Sequence, residues 1–160
     1  MRQPPAPVEM QRLDRQLCFA LYSSSLLMTK LYKPVLAPLG LTYPQYLVML
    51  VLWEQQTAAD PQPIGVGELG ERLYLDSGTL TPLLKRLAAA GLIVRTRSAD
   101  DERRVTLTLT AAGRELQRRA ADVPQHVAGA TGCRLHEIFE LTAQLQSLRD
   151  NVAGQLALAA

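Results

Sequence analysis

The stretch Val66-Gly67-Glu68-Leu69-Gly70-Glu71-Arg72-Leu73-Tyr74-Leu75-Asp76-Ser77-Gly78-Thr79-Leu80-Thr81-Pro82-Leu83-Leu84-Lys85-Arg86-Leu87-Ala88-Ala89-Ala90-Gly91 decides the fold. Leu69, Leu73, Leu80, Leu84 and Leu87 fall at helical intervals, which predicts a short helix over Val66–Leu73 and a longer one from Ser77 to about Ala90. Tyr74-Leu75-Asp76 leaves room only for a tight turn between them. Gly91 ends the second helix, where a left-handed residue is needed and glycine supplies it without a Cβ clash. Two helices across a three-residue turn form the helix-turn-helix pattern.

Downstream of Gly91 the period shifts to two. Leu92 to Arg97 reads as a strand, Ser98 to Glu102 as a polar turn, and Val105, Leu107 and Leu109 alternate with threonines as a returning strand. A β-hairpin directly after a helix-turn-helix is a wing. Thr110 caps a further helix to about Ala128, bent at Pro124. Gly129 and Gly132 break the chain before a last helix from Leu135 to about Leu158.

Upstream, Leu13, Leu17, Leu21, Leu27, Met28, Leu31 and Val35 predict a long helix from about Glu9 to Leu36, ended by Pro38 and Gly40. Thr42 and Gln45 form a T-x-x-Q capping box that starts a second helix through Trp53, with Pro44 tolerated in its first turn. Thr57 to Pro63 is a loop. The fold class is therefore mainly α with a small β-hairpin. Residues 1–8 form a disordered tail and 9–160 a single domain, with a winged helix-turn-helix over about 42–110. The helices at about 9–36 and 110–160 have apolar faces too wide for so small a unit to cover. A homodimer would cover them, and would set two recognition helices on successive major grooves about 34–36 Å apart.

Composition agrees with a globular protein. Of the 160 residues, 48% are apolar, enough for a core. The longest apolar run, Leu47 to Trp53, is too short to span a bilayer, and the proline-rich start lacks a signal-peptide core, so a cytoplasmic protein is expected. Net charge is only +2, but Lys85, Arg86, Arg95 and Arg97 follow one another with no acid between them, a local field able to steer a polyanion. Cys18 and Cys133 are either two inert thiols or a transient redox pair, because a reducing compartment disfavours permanent bridges.

Two motifs are set aside. Gly65-x-Gly67-x-x-Gly70 matches the dinucleotide fingerprint, but that fingerprint needs a strand before it and a βαβ unit around it. Here a proline-containing loop precedes it and a helix-turn-helix follows. Cys133-x-x-His136, with His126 nearby, lacks the further ligands of a closed zinc site. No metal or cofactor is implied, and hydrolase elbow, P-loop and H-E-x-x-H patterns are absent.

Ser77, Thr79 and Thr81 stand on the first turns of the recognition helix, where short hydroxyl side chains reach phosphates, base edges and thymine methyls. Lys85 and Arg86 reach the DNA backbone. At the wing tip Arg103 is placed to enter a narrow minor groove, oriented by Asp101. A plain amphipathic helix and a soluble hairpin turn are the bland readings. The helix-turn-helix and wing together favour double-stranded, pseudo-palindromic operator DNA as partner.

The order of these elements, with Asp101-x-Arg103 and Val105-x-Leu107-x-Leu109-Thr110, resembles the MarR family of winged-helix repressors. Asp14-Arg15-Gln16-Leu17-Cys18-Phe19-Ala20-Leu21-Tyr22, Leu31-Tyr32-Lys33-Pro34, Gly40-Leu41-Thr42-Tyr43-Pro44-Gln45-Tyr46 and Leu75 to Lys85 are similar to its organic hydroperoxide repressors, over about residues 12–150. The resemblance implies a dimeric repressor, not an enzyme, whose cysteine at Cys18 is oxidised by organic hydroperoxides and which then releases DNA. It implies supporting tyrosines at Tyr32 and Tyr43 and a resolving cysteine at Cys133, as in the two-cysteine branch. Tyr32 lies fourteen residues beyond Cys18, roughly 21 Å along a straight helix, so a phenol bonding that sulfur must come from the other subunit. Phenolic donors favour the thiolate, the nucleophile towards a peroxide. Two alternatives compete: a repressor answering a phenolic ligand without thiol chemistry, and a thiol peroxidase, which would need repeated turnover with a reductant.

Overall fold

In the computed structural model, which describes residues 9–97 and 105–159, the Thr42–Gln45 pair opens the helix on which the core is built. Gln45 Oε1 accepts from both the Thr42 N–H at 2.9 Å and its hydroxyl at 3.1 Å. One buried amide thereby fixes the entry of helix α2 (Tyr43–Gln56). Tyr46, Val48, Met49, Val51, Leu52 and Trp53 are all buried along it. A helix apolar on nearly every side belongs inside a core. It packs against α1 (Leu17–Leu36), α3 (Val66–Leu73), α4 (Ser77–Ala89), α5 (Ala111–Arg119) and β3 (Val105–Leu109).

The helix-turn-helix has its expected bounds. Leu69 of α3 and Leu80, Leu84 and Leu87 of α4 are buried, each worth about 1.5–3 kcal/mol relative to exposure. Tyr74 in the turn takes a left-handed φ of 55°, a conformation that costs a non-glycine residue about 1–2 kcal/mol. Gly70 is needed where α3 meets that turn, since a Cβ there would lie 2.8 Å from the Leu75 carbonyl oxygen. Small size for close packing thus accounts for the last glycine of the fingerprint-like motif.

The sheet is antiparallel with order β1-β3-β2, where β1 is Ile64–Gly65 and β2 is Ile93–Arg97. Ile93 pairs with Leu109 and Arg97 with Val105, so the two strands of the wing run in register to the edge of the described hairpin. The β1 strand corrects the expected loop before Gly65. Ile64 pairs with Leu107 and both are buried, which is why two residues at the end of a proline-rich segment become a strand. The topology is still no βαβ unit, because β1 and β3 are antiparallel and α3 leads into α4.

Two helix boundaries differ from expectation. The first helix does not begin at Glu9: residues Glu9–Gln11 and Leu13–Arg15 are 3-10 turns, and α1 starts at Leu17. Arg12 pairs with Asp14 at 3.1 Å, and residues two apart do not face each other on an α-helix, so this contact belongs to the turns. The helix expected over 110–128 is two helices, α5 and α6 (Val123–Ala130). Pro124 sits at the start of α6, where its missing N–H costs nothing, so it begins a helix rather than bending one. The described residues fall into two compact units, the first ending at Ala121 and the second beginning at Asp122 with α6 and α7 (Leu135–Ala159). Among the described residues no single helix is long and apolar enough to cross a membrane.

Candidate functional site

Cys18 is the second residue of α1 and is exposed as a free thiol. Starting the helix at Leu17 places it in the first turn, where backbone N–H groups have no intrahelical partner. Around it Leu17, Phe19, Leu21 and Tyr22 are also exposed, with Leu17 at 56% and Tyr22 at 62%. Leu21 and Tyr22, three and four residues on, share the helix face of Cys18. Cys133 lies in the other unit, in the turn between α6 and α7, and is likewise exposed. Its N–H donates to Thr131 Oγ1 at 3.2 Å, and Gly132 before it takes a φ of 71°.

Tyr32 and Tyr43 are brought together. Their ring centroids are 4.5 Å apart and their planes tilted by 36°. Tyr46 joins them, 5.9 Å from Tyr32, and its ring meets Trp53 edge-on at 6.1 Å. Burial, then the neighbouring Tyr43 and Tyr46, pushes the Tyr32 phenol up to about 12. Burial raises Tyr43 as well, and Tyr46 is raised by burial and then by Tyr43. All three hydroxyls therefore remain protonated donors at physiological pH. Tyr46 was not singled out from the sequence, where it reads as one more core residue of an apolar helix. Its position three residues after Tyr43 was the available signal, since that spacing puts two side chains on one helix face.

On the recognition helix α4, Asp76 is the N-cap. Its Oδ1 accepts from the Thr79 N–H at 2.8 Å and its Oδ2 from the Thr79 hydroxyl at 2.9 Å. These bonds, the backbone one first, hold its carboxyl below the usual carboxylate range. The Thr81 hydroxyl donates to the Ser77 carbonyl at 2.7 Å. With those protons engaged, Thr79 and Thr81 can offer a ligand only oxygen lone pairs and methyl groups. Ser77, Thr79, Lys85 and Arg86 are exposed, and Thr81 is partly exposed. Arg95 and Arg97 are exposed on β2, whose first residue alone is buried. Asp101 and Arg103 lie outside the described residues.

A buried bond ties α2 to the stem of the wing. Trp53 Nε1–H donates to the Gly113 carbonyl at 2.9 Å. A side chain at Gly113 would collide with the Leu92 carbonyl. That same carbonyl accepts the Thr110 N–H at 3.1 Å, closing the base of the hairpin.

A helix-turn-helix followed by an antiparallel wing, with exposed hydroxyls and cations along the second helix, defines a winged-helix transcriptional regulator. The family described as transcriptional regulator SarA/Rot matches residues 30–119. The chain belongs to the MarR/SarA family of winged-helix transcriptional regulators. It is 46% identical over 141 residues to the organic hydroperoxide resistance transcriptional regulator of Bacillus subtilis, covering 88% of this chain and 92% of that protein. Among solved structures it is similar to AbfR of Staphylococcus epidermidis. The reduced form bound to DNA matches with a TM-score of 0.71 and 34% identity, over 92% of this chain and 99% of that one. The disulfide form matches with a TM-score of 0.59 and 38% identity, over 88% of this chain and 95% of that one.

Proposed function

We propose that this chain is a homodimeric, cytoplasmic repressor that binds pseudo-palindromic operator DNA and senses organic hydroperoxides through Cys18. The observation that carries the reading is an exposed thiol in the first turn of α1, beside exposed apolar side chains, on the same chain as the stacked phenols of Tyr32 and Tyr43, which are kept protonated. Tyr32 and Tyr43 of one subunit then serve Cys18 of the other. The relatives fit: one is named for organic hydroperoxide resistance, and another has been solved both reduced on DNA and with a disulfide formed.

The chemistry balances without a cofactor. The Cys18 thiolate attacks the terminal peroxide oxygen, the O–O bond breaks, and the alkoxide leaves and takes up a proton as an alcohol. Sulfur is oxidised to a sulfenic acid and the peroxide is reduced. The sulfenic acid then condenses with the Cys133 thiol of the partner subunit, forming the S–S bond and releasing water. Two Cα atoms must come within about 7 Å for that bond. Whatever movement achieves it alters the spacing of the recognition helices, and two half-sites can no longer be held together. Ser77, Thr79, Thr81, Lys85 and Arg86 contact DNA in this reading, together with Asp101 and Arg103 from the sequence between β2 and β3.

The decisive experiment titrates operator DNA with protein before and after substoichiometric organic hydroperoxide, and repeats it with Cys18→Ser. Release by the parent and none by the variant is the expected result. A Cys18→Ser protein that still lets go of DNA at low peroxide overturns the assignment. Non-reducing electrophoresis should show a covalent dimer, lost in Cys133→Ser and reversed by a thiol reductant.

A further inference from the structure

We infer that Tyr46 and Trp53 form a relay that carries a change at the Tyr32–Tyr43 pair to the stem of the wing. The inference rests on Cys18 being the sensor, and it concerns how that event reaches the DNA-reading half of the molecule.

Five contacts compose the relay, all within the first unit. Tyr32 lies against Tyr43 and Tyr46, with centroids at 4.5 and 5.9 Å. Tyr46 meets the Trp53 indole at 6.1 Å, ring edge to ring face, the arrangement that aromatic quadrupoles favour. Trp53 donates to the Gly113 carbonyl at 2.9 Å in a buried setting. Gly113 is held so close to the Leu92 carbonyl that only a glycine fits, and Leu92 immediately precedes β2. Tyr43, Tyr46 and Trp53 fall within about 80° of one another around α2, so one face of a single helix carries three residues of the relay.

The relay has little slack. Tyr46 and Trp53 are 2% and 4% exposed, so neither ring can swing into water. A packed interior transmits displacement rather than absorbing it. Breaking the bond would leave the buried indole N–H without an acceptor, which costs more than the bond itself contributes, so α5 must follow if Trp53 moves. The hairpin base follows α5, because the Leu92 carbonyl is both what Gly113 rests on and the acceptor of the Thr110 N–H. Tyr46 and Trp53 are positioning residues: neither is assigned contact with the peroxide or with DNA.

Trp53 is the chain's only tryptophan, so the intact protein reports on the relay without any substitution. Organic hydroperoxide added to the DNA-free parent should change the intensity or wavelength of indole emission, with the same rate as loss of the Cys18 thiol. Cys18→Ser should show no such change. The second arm compares the operator affinities of reduced and peroxide-treated protein in Tyr46→Leu, Tyr46→Phe and Trp53→Phe. Thiol loss at Cys18 should proceed at the parental rate in all three. Tyr46→Leu and Trp53→Phe should shrink the ratio of reduced to oxidised affinity by roughly 2- to 30-fold, while Tyr46→Phe, which keeps the ring, retains it. A parent that releases DNA with unchanged indole emission overturns the relay, as does a folded Tyr46→Leu or Trp53→Phe with the parental ratio. A parent whose affinity does not respond to peroxide overturns the sensor reading instead, so the two failures are distinct.

Discussion

Both carboxylate oxygens of Asp76 are occupied by one residue, Thr79, through its N–H at 2.8 Å and its hydroxyl at 2.9 Å. The first turn of the recognition helix is thereby closed on itself, and its cap is a charged one. Because the folded carboxyl titrates below its ordinary value near 3.8, it stabilises the helix above that value. The contribution is lost as pH falls through the lowered one. Asp76→Ala should therefore have a lower urea midpoint than the parent at neutral pH, and the gap should narrow below about pH 4. A gap that does not change with pH would mean that the cap acts without its charge.

The phenol cluster gives the opposite sign. Tyr32 is raised from 10.0 to about 12, so the folded chain holds a proton that the unfolded chain gives up first. The associated stability is complete below pH 10 and disappears as pH rises through 12. Tyr32→Phe should remove the highest-pH step of the phenolate absorbance titration and flatten the alkaline fall in stability. An unchanged titration curve would take Tyr32 out of the cluster.

Gly113 is confined on two sides, by the Leu92 carbonyl and by the indole that bonds its own carbonyl. Gly113→Ala should destabilise the protein by about 1–3 kcal/mol, read from urea unfolding, as overpacking in a closed site does. Parental stability would show that α5 can move away from Leu92 at no cost.

The proposed DNA contacts divide by chemistry. Lys85→Ala should weaken binding to operator and random DNA alike and lower the slope of log K against log salt by about 1. Arg103→Ala, if the wing enters the minor groove, should cost about 1–3 kcal/mol of operator affinity with little change for random DNA. Equal losses on both DNAs would reduce Arg103 to a backbone contact.

Much of this architecture was legible because several local signals coincided. The bounds of α3 and the start of α4 follow from leucine spacing plus the Asp76 cap, and α2 starts where its capping box sits. What could not be read depended on distant partners. Ile64 becomes a strand residue only through Leu107, forty-odd residues later in the chain. The placement of Tyr32 against Tyr43 follows from α1 turning back on α2 past Gly40, whose φ is 68°. Tyr46 is chemically silent in sequence because it reads as the first member of the apolar run through Trp53, and only the meeting of three rings distinguishes it. The start of α1 falls later than the sequence pattern suggests because the apolar period continues through Leu13 while the α-helical backbone begins only at Leu17.

Helix α7 buries none of its residues, yet it carries Leu135, Phe139, Leu141, Leu145, Val152 and Leu156 in the open. A helix of that kind is held in shape by whatever it docks against. If that is a second copy of the chain, stability becomes a bimolecular quantity that depends on protein concentration. Each tenfold dilution then removes about 1.4 kcal/mol of it. The number of molecules in the cell would then set not only how many DNA sites are occupied but what fraction of the chains is assembled at all.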